Sequence, residues 1–245
     1  MNCVILAAGS SSRLRPLTDS IPKCLLHVGG QAILERAIRE VFHAGIMHFI
    51  IVTGFQEWKV KNFVKRNFPS LSIDIVFNKD FALSENSASL LSAREYTDNE
   101  ELLVLDADVM FDEEIVRSLL TSVHPNCIAV RTEGIIGHED VKVHIGEHDE
   151  ITHIGKALRS SLRYGESIGI EKFSAEGTRL LFATLEERIE EHHGSSEFYE
   201  TSFQQMIERG TTIHAVNVGA SRCIEIDTIE DLHAAEKMFS PARDQ

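Results

Sequence analysis

Short apolar runs alternate along this chain with longer stretches of helical periodicity, and this alternation limits the possible folds more than any other feature. It predicts β-strands joined by crossover helices in a largely parallel sheet. The expected fold is therefore α/β, with a doubly wound, mostly parallel, Rossmann-like sheet. The predicted strands are Asn2–Ala8, His48–Thr53, Ser72–Phe77, Leu102–Asp106 and Cys127–Arg131, and the predicted helices between them are Ile33–Phe42, Glu57–Asn67 and Glu113–Ser122.

The pattern changes in the second half of the chain. Apolar and polar residues alternate from Val141 to Ile154 around a predicted turn at Gly146–Asp149, which indicates a β-hairpin inserted on the core. No repeat or linker divides the 245 residues, of which 43% are hydrophobic, so we expect a single domain over residues 1–245. The remaining predicted elements are strand Glu166–Phe173, helices Ala175–Glu191 and Glu197–Arg209, strands Ile213–Asn217 and Cys223–Ile226, and a helix from Ile229.

Composition narrows the possible partners and compartments. The formal net charge is −14, so a nucleic-acid backbone would meet mostly like charge and is not an expected partner. Four scattered cysteines lack the spacing of a disulfide framework or a zinc site, and neither a signal core nor a membrane span is recognisable. These features predict a soluble cytoplasmic protein. The histidines His138, His144, His148 and His153 near the hairpin also lack zinc-site spacing, so we expect no zinc.

The loop after the first predicted strand has the composition of a phosphate-binding loop. Its small residues Gly9, Ser10, Ser11 and Ser12 would let backbone N–H groups approach phosphate oxygens, and Arg13 and Lys23 add positive charge. A solvated Gly/Ser turn is the structural alternative. Neither the P-loop motif nor the G-x-G-x-x-G motif is present, which argues against a Rossmann-type redox enzyme.

Acidic residues follow two of the predicted strands. Asp106 and Asp108 come after the apolar run 102–105, and Asp227 ends the strand near the C-terminus. Magnesium prefers carboxylates together with substrate phosphates, so these side chains are candidate ligands. Aspartates also cap turns after strands. Thr228 and Asp231 could explain the last segment as a helix N-terminus without any catalytic role.

The first loop is also similar to a known motif. Leu6-Ala-Ala-Gly-x-x-Ser12-Arg13-Leu14-x-Pro16-Leu17-Thr18, followed by Pro22-Lys23-x-Leu25, resembles the signature of nucleotidyltransferases that activate sugar 1-phosphates, phosphocholine and related phosphorylated alcohols. The resemblance implies that Arg13 and Lys23 are the catalytic residues and neutralise charge around the α-phosphate. It implies a Mg²⁺ site formed by Asp108 and Asp227. The implied nucleotide-binding residues are Leu6, Ala7, Ala8, Gly9, Ser10, Ser11, Ser12, Arg13, Lys23, Asn86, Ser89 and Asp106.

Later motifs are most similar to the phosphocholine cytidylyltransferase-like branch of these enzymes. They are Asp-Val-Lys-Val at 140–143, Ile-x-x-Ile-Gly-Lys-x-Leu at 151–158 and the segment 165–174. The resemblance implies transfer from CTP to a small phosphorylated alcohol or amine, with release of pyrophosphate. The phosphate monoester is already a charged nucleophile, so no general base is assigned. The implied acceptor-binding residues are Lys142, Lys156, Glu166, Tyr199 and Glu200.

The acceptor remains open at this point. A choline-binding cage needs several aromatic rings, yet the chain has one tryptophan and three tyrosines. A primary amine such as 2-aminoethylphosphonate, or a polyol phosphate, would need more hydrogen bonds and fewer rings. The main alternative is a sugar-1-phosphate or inositol-phosphate nucleotidyltransferase that uses CTP, UTP, GTP or dTTP, and a second is a catalytically silent nucleotide-binding regulator. The sequence leaves the oligomeric state open, with a homo-oligomer among the alternatives.

Overall fold

The sheet at the centre of the molecule contains nine strands. The computed structural model describes residues 1–97, 100–134, 136–137, 139–159, 163–192 and 197–240. Within them the strands are β1 Asn2–Ala7, β2 His27–Val28, β3 Gln31–Ala32, β4 His48–Thr53, β5 Ser72–Phe77, β6 Leu102–Asp106, β7 Val109–Phe111, β8 Cys127–Arg131, β9 Lys142–Ile145, β10 Ile151–Gly155, β11 Tyr164–Phe173, β12 His214–Asn217 and β13 Cys223–Glu225. The helices are α1 Ile33–His43, α2 Glu57–Asn67, α3 Asn86–Ser92, α4 Glu113–Thr121, α5 Ala175–His192, α6 Glu200–Glu208 and α7 Ile229–Phe239.

Parallel pairing dominates one half of the central sheet. Strands β5, β4, β1 and β6 lie side by side and run parallel. Strand β11 runs antiparallel to β6, and it also pairs with β9 of the hairpin and with β8, which in turn pairs in parallel with β12. The predicted mostly parallel α/β sheet is confirmed.

Helices cover both faces of the sheet because the central strands are apolar on both sides. On β1, Cys3 and Ile5 pack in a cluster with α1, α2 and α4, whereas Val4 and Leu6 pack in a second cluster with α3, α5 and α6. Burying one large apolar side chain stabilises a fold by roughly 1.5–3 kcal/mol, so these two clusters hold the strand ends in fixed positions.

The inserted hairpin is confirmed. Strands β9 and β10 pair antiparallel with a register shift between Ile151 and His153, and Asp149 adopts a left-handed conformation in the turn, with a φ of 64°. Aspartate tolerates that conformation better than most residues. Of the four histidines considered as metal ligands, His138 lies outside the described residues.

Two element boundaries near the cleft differ from the predictions. Helix α6 begins at Glu200 rather than Glu197, and β1 ends at Ala7 rather than Ala8. The N-cap of α3 is Glu85, whose side chain makes no cap hydrogen bond.

A separate two-stranded ribbon was not predicted as such. Strand β7 pairs antiparallel with β13, with Glu225 opposite Val109, and this pair forms a sheet of its own. Asp108 lies directly before β7, and Asp227 lies just after β13, where α7 begins with a capping box between Thr228 and Asp231. The ribbon therefore connects the two acidic positions that the sequence left far apart.

The four cysteines are free and buried. Among the described residues, none of the helices has the length and apolar character that crossing a membrane would require.

Candidate active site

A cleft of about 520 Å³ opens at the carboxyl ends of β1 and β6. This is the edge where ligands bind in open α/β sheets. Its walls combine the first loop, the two acidic segments and the hairpin. The lining residues are Leu6, Ala8, Gly9, Ser10, Ser11, Ser12, Arg13, Lys23, Phe81, Ser84, Glu85, Asn86, Ser89, Asp106, Asp108, Val109, Glu139, Asp140, Val141, Lys156, Ser167, Ile168, Gly169, Phe198, Glu200, Glu225 and Asp227.

The first loop is held in shape by its own residues. Ser11 adopts a left-handed conformation with a φ of 50°, and its carbonyl accepts a hydrogen bond of 2.8 Å from Thr18 Oγ1. The 3-10 turn Ser12–Leu14 follows, and Leu14 is fully buried. Of the predicted nucleotide-binding residues in this segment, Ala7 alone is absent from the wall of the main cleft; it is buried at the end of β1.

Basic and acidic side chains meet beside this loop. Lys23 Nζ lies 2.8 Å from Asp108 Oδ2 and 2.7 Å from Asp227 Oδ1, and Arg13 Nη2 lies 2.6 Å from Asp227 Oδ2. Burial opposes the charge on Lys23, but the two carboxylates outweigh it and raise the pKa of the lysine. Burial likewise works to raise the pKa of Asp227, but Lys23 and Arg13 hold it below its usual range. The four residues thus form one charged cluster.

A third carboxylate completes an acidic group that could hold a metal ion. One oxygen each of Asp108, Glu225 and Asp227 lie within 4.8 Å of one another. Glu225 is open to solvent on the cleft side, and the loss of solvation on its protein side, followed by the charges of the two aspartates, raises its pKa to about 8. Asp108 Oδ1 is buried and has no hydrogen-bond partner among the described residues. Hard divalent cations prefer oxygen ligands of this kind.

Glu225 was missed at the sequence level. It lies in an alternating strand, Ile224-Glu225-Ile226, where a single charged residue between apolar ones usually faces solvent. Only the pairing of β13 with β7 brings Glu225 beside Asp108.

Asp106 lies on the cleft wall and is supported from behind. Tyr199 Oη donates a hydrogen bond of 2.9 Å to Asp106 Oδ2 and lies 3.5 Å from Glu171 Oε1. Burial raises the pKa of Asp106 well above its usual range, and Asp108 and Glu200 raise it further. Gly169 faces this carboxylate with a φ of +71°, and a Cβ atom there would lie 2.7 Å from Asp106 Oδ2.

The predicted acceptor-binding residues occupy different environments. Glu200 and Lys156 line the cleft, and Lys156 Nζ lies 4.0 Å from the centre of the Phe198 ring. Glu200 is only 6% exposed, and burial raises its pKa to about 7, against the opposing charge of Lys156. Tyr199 is 0% exposed and lies beneath the wall, where it contacts Asp106.

Two further predicted acceptor residues are engaged elsewhere. Glu166 Oε2 accepts hydrogen bonds of 2.6 and 3.1 Å from Arg131, and neither residue belongs to the cleft wall. Lys142 Nζ donates to the carbonyls of Asp140 and Lys156 at 3.2 and 3.0 Å. The structure therefore associates these side chains with the base of the hairpin.

Asn86 and Ser89 lie together on α3 and face the cleft. Asn86 Oδ1 accepts a hydrogen bond of 2.9 Å from the backbone N–H of Tyr199, and Ser89 Oγ accepts one of 3.0 Å from Asn78 Nδ2. The first contact fixes α3 against the segment that precedes α6, and the second fixes it against the segment that follows β5.

The chain is similar to several known proteins. The model of the MobA-like NTP transferase domain family matches residues 3–192. The chain is 25% identical over 254 residues to CTP:phosphoglutamine cytidylyltransferase of Campylobacter jejuni, covering 95% of this chain and 98% of that protein. It is 25% identical over 249 residues to choline-phosphate cytidylyltransferase of Streptococcus pneumoniae, covering 98% of each. It is 28% identical over 239 residues to the bifunctional IPC transferase and DIPP synthase of Aquifex aeolicus, covering 96% of this chain but only 50% of that protein.

Solved structures show the same fold. The CTP:phosphocholine cytidylyltransferase from Streptococcus pneumoniae superposes with a TM-score of 0.78 at 20% identity, covering 98% of this chain and 99% of that one. The inositol-1-phosphate CTP transferase from T. maritima superposes with a TM-score of 0.80 at 18% identity, covering 98% of each chain.

Proposed function

Since the chain belongs to the MobA-like NTP transferase domain family and is a nucleotidyltransferase, we propose that it transfers the cytidylyl group of CTP to a small phosphorylated alcohol or amine. Pyrophosphate is the second product, and Mg²⁺ is the metal ion. The observation that carries this proposal is the contact of Lys23 with both Asp108 and Asp227 beside the first loop.

The reaction requires close approach of several negative charges. A phosphate oxygen of the acceptor attacks the α-phosphorus of CTP in line, the bond to the β-phosphate oxygen breaks, and pyrophosphate leaves with that electron pair. The acceptor phosphate is already ionised near neutral pH, so catalysis depends on positioning and charge neutralisation. We assign these tasks to Arg13, Lys23 and the backbone N–H groups of residues 9–12.

The acidic cluster fits a divalent cation. Asp108 Oδ1 is buried without a hydrogen-bond partner among the described residues, while Oδ2 of the same carboxylate contacts Lys23. Asp108, Asp227 and Glu225 would hold the ion. Bound magnesium supplies positive charge that reduces repulsion between the phosphates of the two substrates.

Two considerations support CTP and a small acceptor. The relatives from Campylobacter jejuni and Streptococcus pneumoniae, which match nearly the whole chain, are named as cytidylyltransferases for phosphoglutamine and choline phosphate. The wall beyond Asp106 carries Lys156 and the buried carboxylate of Glu200, which provide charges for a phosphate and for an ammonium group.

A polyol phosphate is the second candidate acceptor. Only two aromatic side chains, Phe81 and Phe198, line the cleft among the described residues, and Tyr199 is fully buried. Hydroxyl groups need hydrogen-bond partners rather than an aromatic cage. The inositol-1-phosphate CTP transferase from T. maritima, which has the same fold, is consistent with this alternative.

A pyrophosphate-release assay tests the proposal. The purified protein is incubated with CTP, UTP, GTP, ATP or dTTP and with phosphocholine, phosphoethanolamine, 2-aminoethylphosphonate, inositol 1-phosphate or glucose 1-phosphate, with and without Mg²⁺. We expect release with CTP, Mg²⁺ and at least one amine-bearing acceptor. Preference for another nucleotide, or activity with glucose 1-phosphate alone, would contradict the assignment.

A further inference from the structure

A cluster of side chains lies at the end of the β7–β13 ribbon opposite the acidic cluster. It consists of Arg36, Asp112, Arg222 and Phe239, which we call the ribbon clasp. The Asp112 carboxylate accepts hydrogen bonds from the Arg222 backbone N–H at 3.1 Å and from Arg222 Nε and Nη2 at 2.9 and 2.8 Å. Arg36 Nη2 donates to the same carboxylate at 3.1 Å.

The clasp joins the ribbon to two helices. Arg36 belongs to α1 and donates from Nε to the carbonyl of Phe111, the last residue of β7, at 2.9 Å. Arg222 Nη1 donates to the carbonyl of Met238 in α7 at 2.9 Å. The two guanidinium groups lie 4.6 and 4.8 Å from the centre of the Phe239 ring.

The ribbon clasp and the acidic cluster lie at opposite ends of the same two strands. Asp227 lies between β13 and α7, and Arg222, which directly precedes β13, donates to the Met238 carbonyl near the end of α7. Asp108 precedes β7, and the clasp residue Asp112 follows it. The ribbon is not part of the nine-stranded sheet, so the distance between Asp227 and Asp108 depends on the ribbon's own pairing, together with Lys23, which contacts both carboxylates. At the cleft end this pairing continues as a hydrogen bond of 3.0 Å from the Ile226 N–H to the Asp108 carbonyl.

We propose that Arg222 and Asp112 are positioning residues for the metal ion: by closing the far end of the ribbon they hold Asp227 and Glu225 at the distance from Asp108 that a divalent cation requires. This inference rests on the proposed function, since it assumes that Asp108, Glu225 and Asp227 bind the ion. Charge-assisted, multiply bonded guanidinium–carboxylate pairs have the geometric precision for this task. Loosening a metal site by a fraction of an ångström weakens binding, and loss of supporting residues around metal ligands typically costs 10–100-fold in affinity.

Direct metal binding is the decisive measurement. Mn²⁺, used as a probe for Mg²⁺, is titrated into the whole protein and followed by electron paramagnetic resonance without substrates. For Arg222→Met, which removes the donors to Asp112, we expect a dissociation constant about tenfold higher than in the wild type. Pyrophosphate release should show a higher Mg²⁺ requirement, with kcat at saturating Mg²⁺ changed much less.

Arg117→Met is the matched control. Arg117 lies on α4, pairs with Glu113 and donates to the His43 carbonyl at 2.9 Å, and its side chain is about as exposed as that of Arg222, 55% against 49%. Among the described residues, Arg117 forms no hydrogen bond or ion pair with the ribbon, so Mn²⁺ affinity should match the wild type. If Arg222→Met lowers the melting temperature but leaves Mn²⁺ affinity unchanged, the clasp only stabilises the fold and the inference is wrong.

Two further variants keep the outcomes distinct. Should Arg222→Met fail to fold, Arg222→Lys keeps the charge but loses the paired donors, and it should raise the dissociation constant by a smaller factor; wild-type affinity would overturn the inference. Asp108→Ala tests the premise. If wild type and Asp108→Ala bind Mn²⁺ equally, the proposed metal site itself is wrong. If Asp108→Ala weakens Mn²⁺ binding but Arg222→Met does not, the metal site stands and only the inference about the ribbon clasp is wrong.

Discussion

The two ends of the cleft carry acidic side chains in opposite surroundings. Near the first loop, Asp108 and Asp227 contact the Lys23 ammonium, and the pKa of Asp227 is lowered despite its burial. Beyond Asp106, the Oε2 atoms of Glu171 and Glu200 have no hydrogen-bond partner in the part of the chain that the structure describes, and burial raises the pKa of both groups.

This difference separates carboxylates that already contact a cationic side chain from buried carboxylates that do not. A buried carboxylate stays ionised when a cation compensates the loss of water, and otherwise it retains its proton to a higher pH. The paired end is thus suited to the highly charged triphosphate, and the unpaired end to a smaller group that brings its own positive charge or hydrogen-bond donors. Substitutions at each end can test this difference separately.

Substituting Asp108→Ala should have the largest effect. It removes the carboxylate that contacts Lys23 and contributes to the acidic cluster, and pyrophosphate release should fall by about 1000-fold or more. Circular dichroism should show an intact fold. Asp19→Ala is the control, because Asp19 belongs to the first loop region but pairs only with Arg15 at the surface in the described residues. If the turnover of Asp108→Ala were within tenfold of the wild type, the proposed role of the paired end in the reaction would be wrong.

Lys23→Met should lower kcat by roughly 100-fold to 1000-fold, because it removes a preorganised positive charge beside the reacting phosphates. It also leaves Asp108 and Asp227 facing each other without the ammonium between them. Mg²⁺ should therefore raise the melting temperature more in this variant than in the wild type. Lys61→Met makes the same change at an exposed lysine of α2 and should behave as wild type. An unchanged kcat for Lys23→Met would contradict the role of the paired end.

The unpaired end should make stability depend on pH through Glu200. Its folded-state pKa is raised from 4.5 to about 7, so the folded protein keeps this proton at a pH where the unfolded chain has lost it. The resulting stability is fully present below about pH 4.5 and is lost as the pH rises through 7, a loss of roughly 3 kcal/mol in the free energy of unfolding.

Urea denaturation at pH 5, 6, 7 and 8 measures this effect. Replacing Glu200→Gln removes the titrating group, so the difference in unfolding free energy between variant and wild type should grow in favour of the variant as the pH rises. Glu85→Gln is the control, since Glu85 also lines the cleft but is exposed. A constant difference across the pH range would show that Glu200 is ionised throughout.

Thr228→Ala should have the smallest effect. The Thr228 hydroxyl accepts a hydrogen bond of 3.2 Å from the Asp231 N–H in the capping box of α7. Loss of an N-cap typically lowers the free energy of unfolding by about 1 kcal/mol. Thermal unfolding should detect this loss, with kcat changed less than in either variant of the paired end. A kcat loss comparable to that of Lys23→Met would mean that the cap also orients Asp227.

Much of the fold could be predicted because the central strands are continuous apolar runs. The bounds of β4, β5, β6 and β8 agree with the sequence-based expectation residue for residue. Strand β7 was missed because three residues, Val109–Phe111, are too short to show a period. The antiparallel direction of β11 could not be predicted from the local sequence either, because direction depends on which neighbour a strand pairs with.

The site could be predicted only in part for a related reason. Arg13, Lys23, Asp108 and Asp227 belong to recognisable motifs, and the structure brings them together, while their functional roles remain predictions. Glu171 and Glu225 carried no signal, because an acidic residue within a strand reads as a surface position until pairing shows what it faces. Tyr199 was expected at the acceptor, and its burial against Asp106 depends on how α6 packs.

Gly169 has a consequence for changing the acceptor range by protein engineering. Its left-handed backbone and the 2.7 Å approach of a Cβ atom to Asp106 mean that even alanine at this position would displace the carboxylate. A larger residue at position 169 is therefore not a suitable way to narrow the cleft. Libraries for altered acceptor choice should vary Lys156 and Phe198, whose side chains also line the cleft.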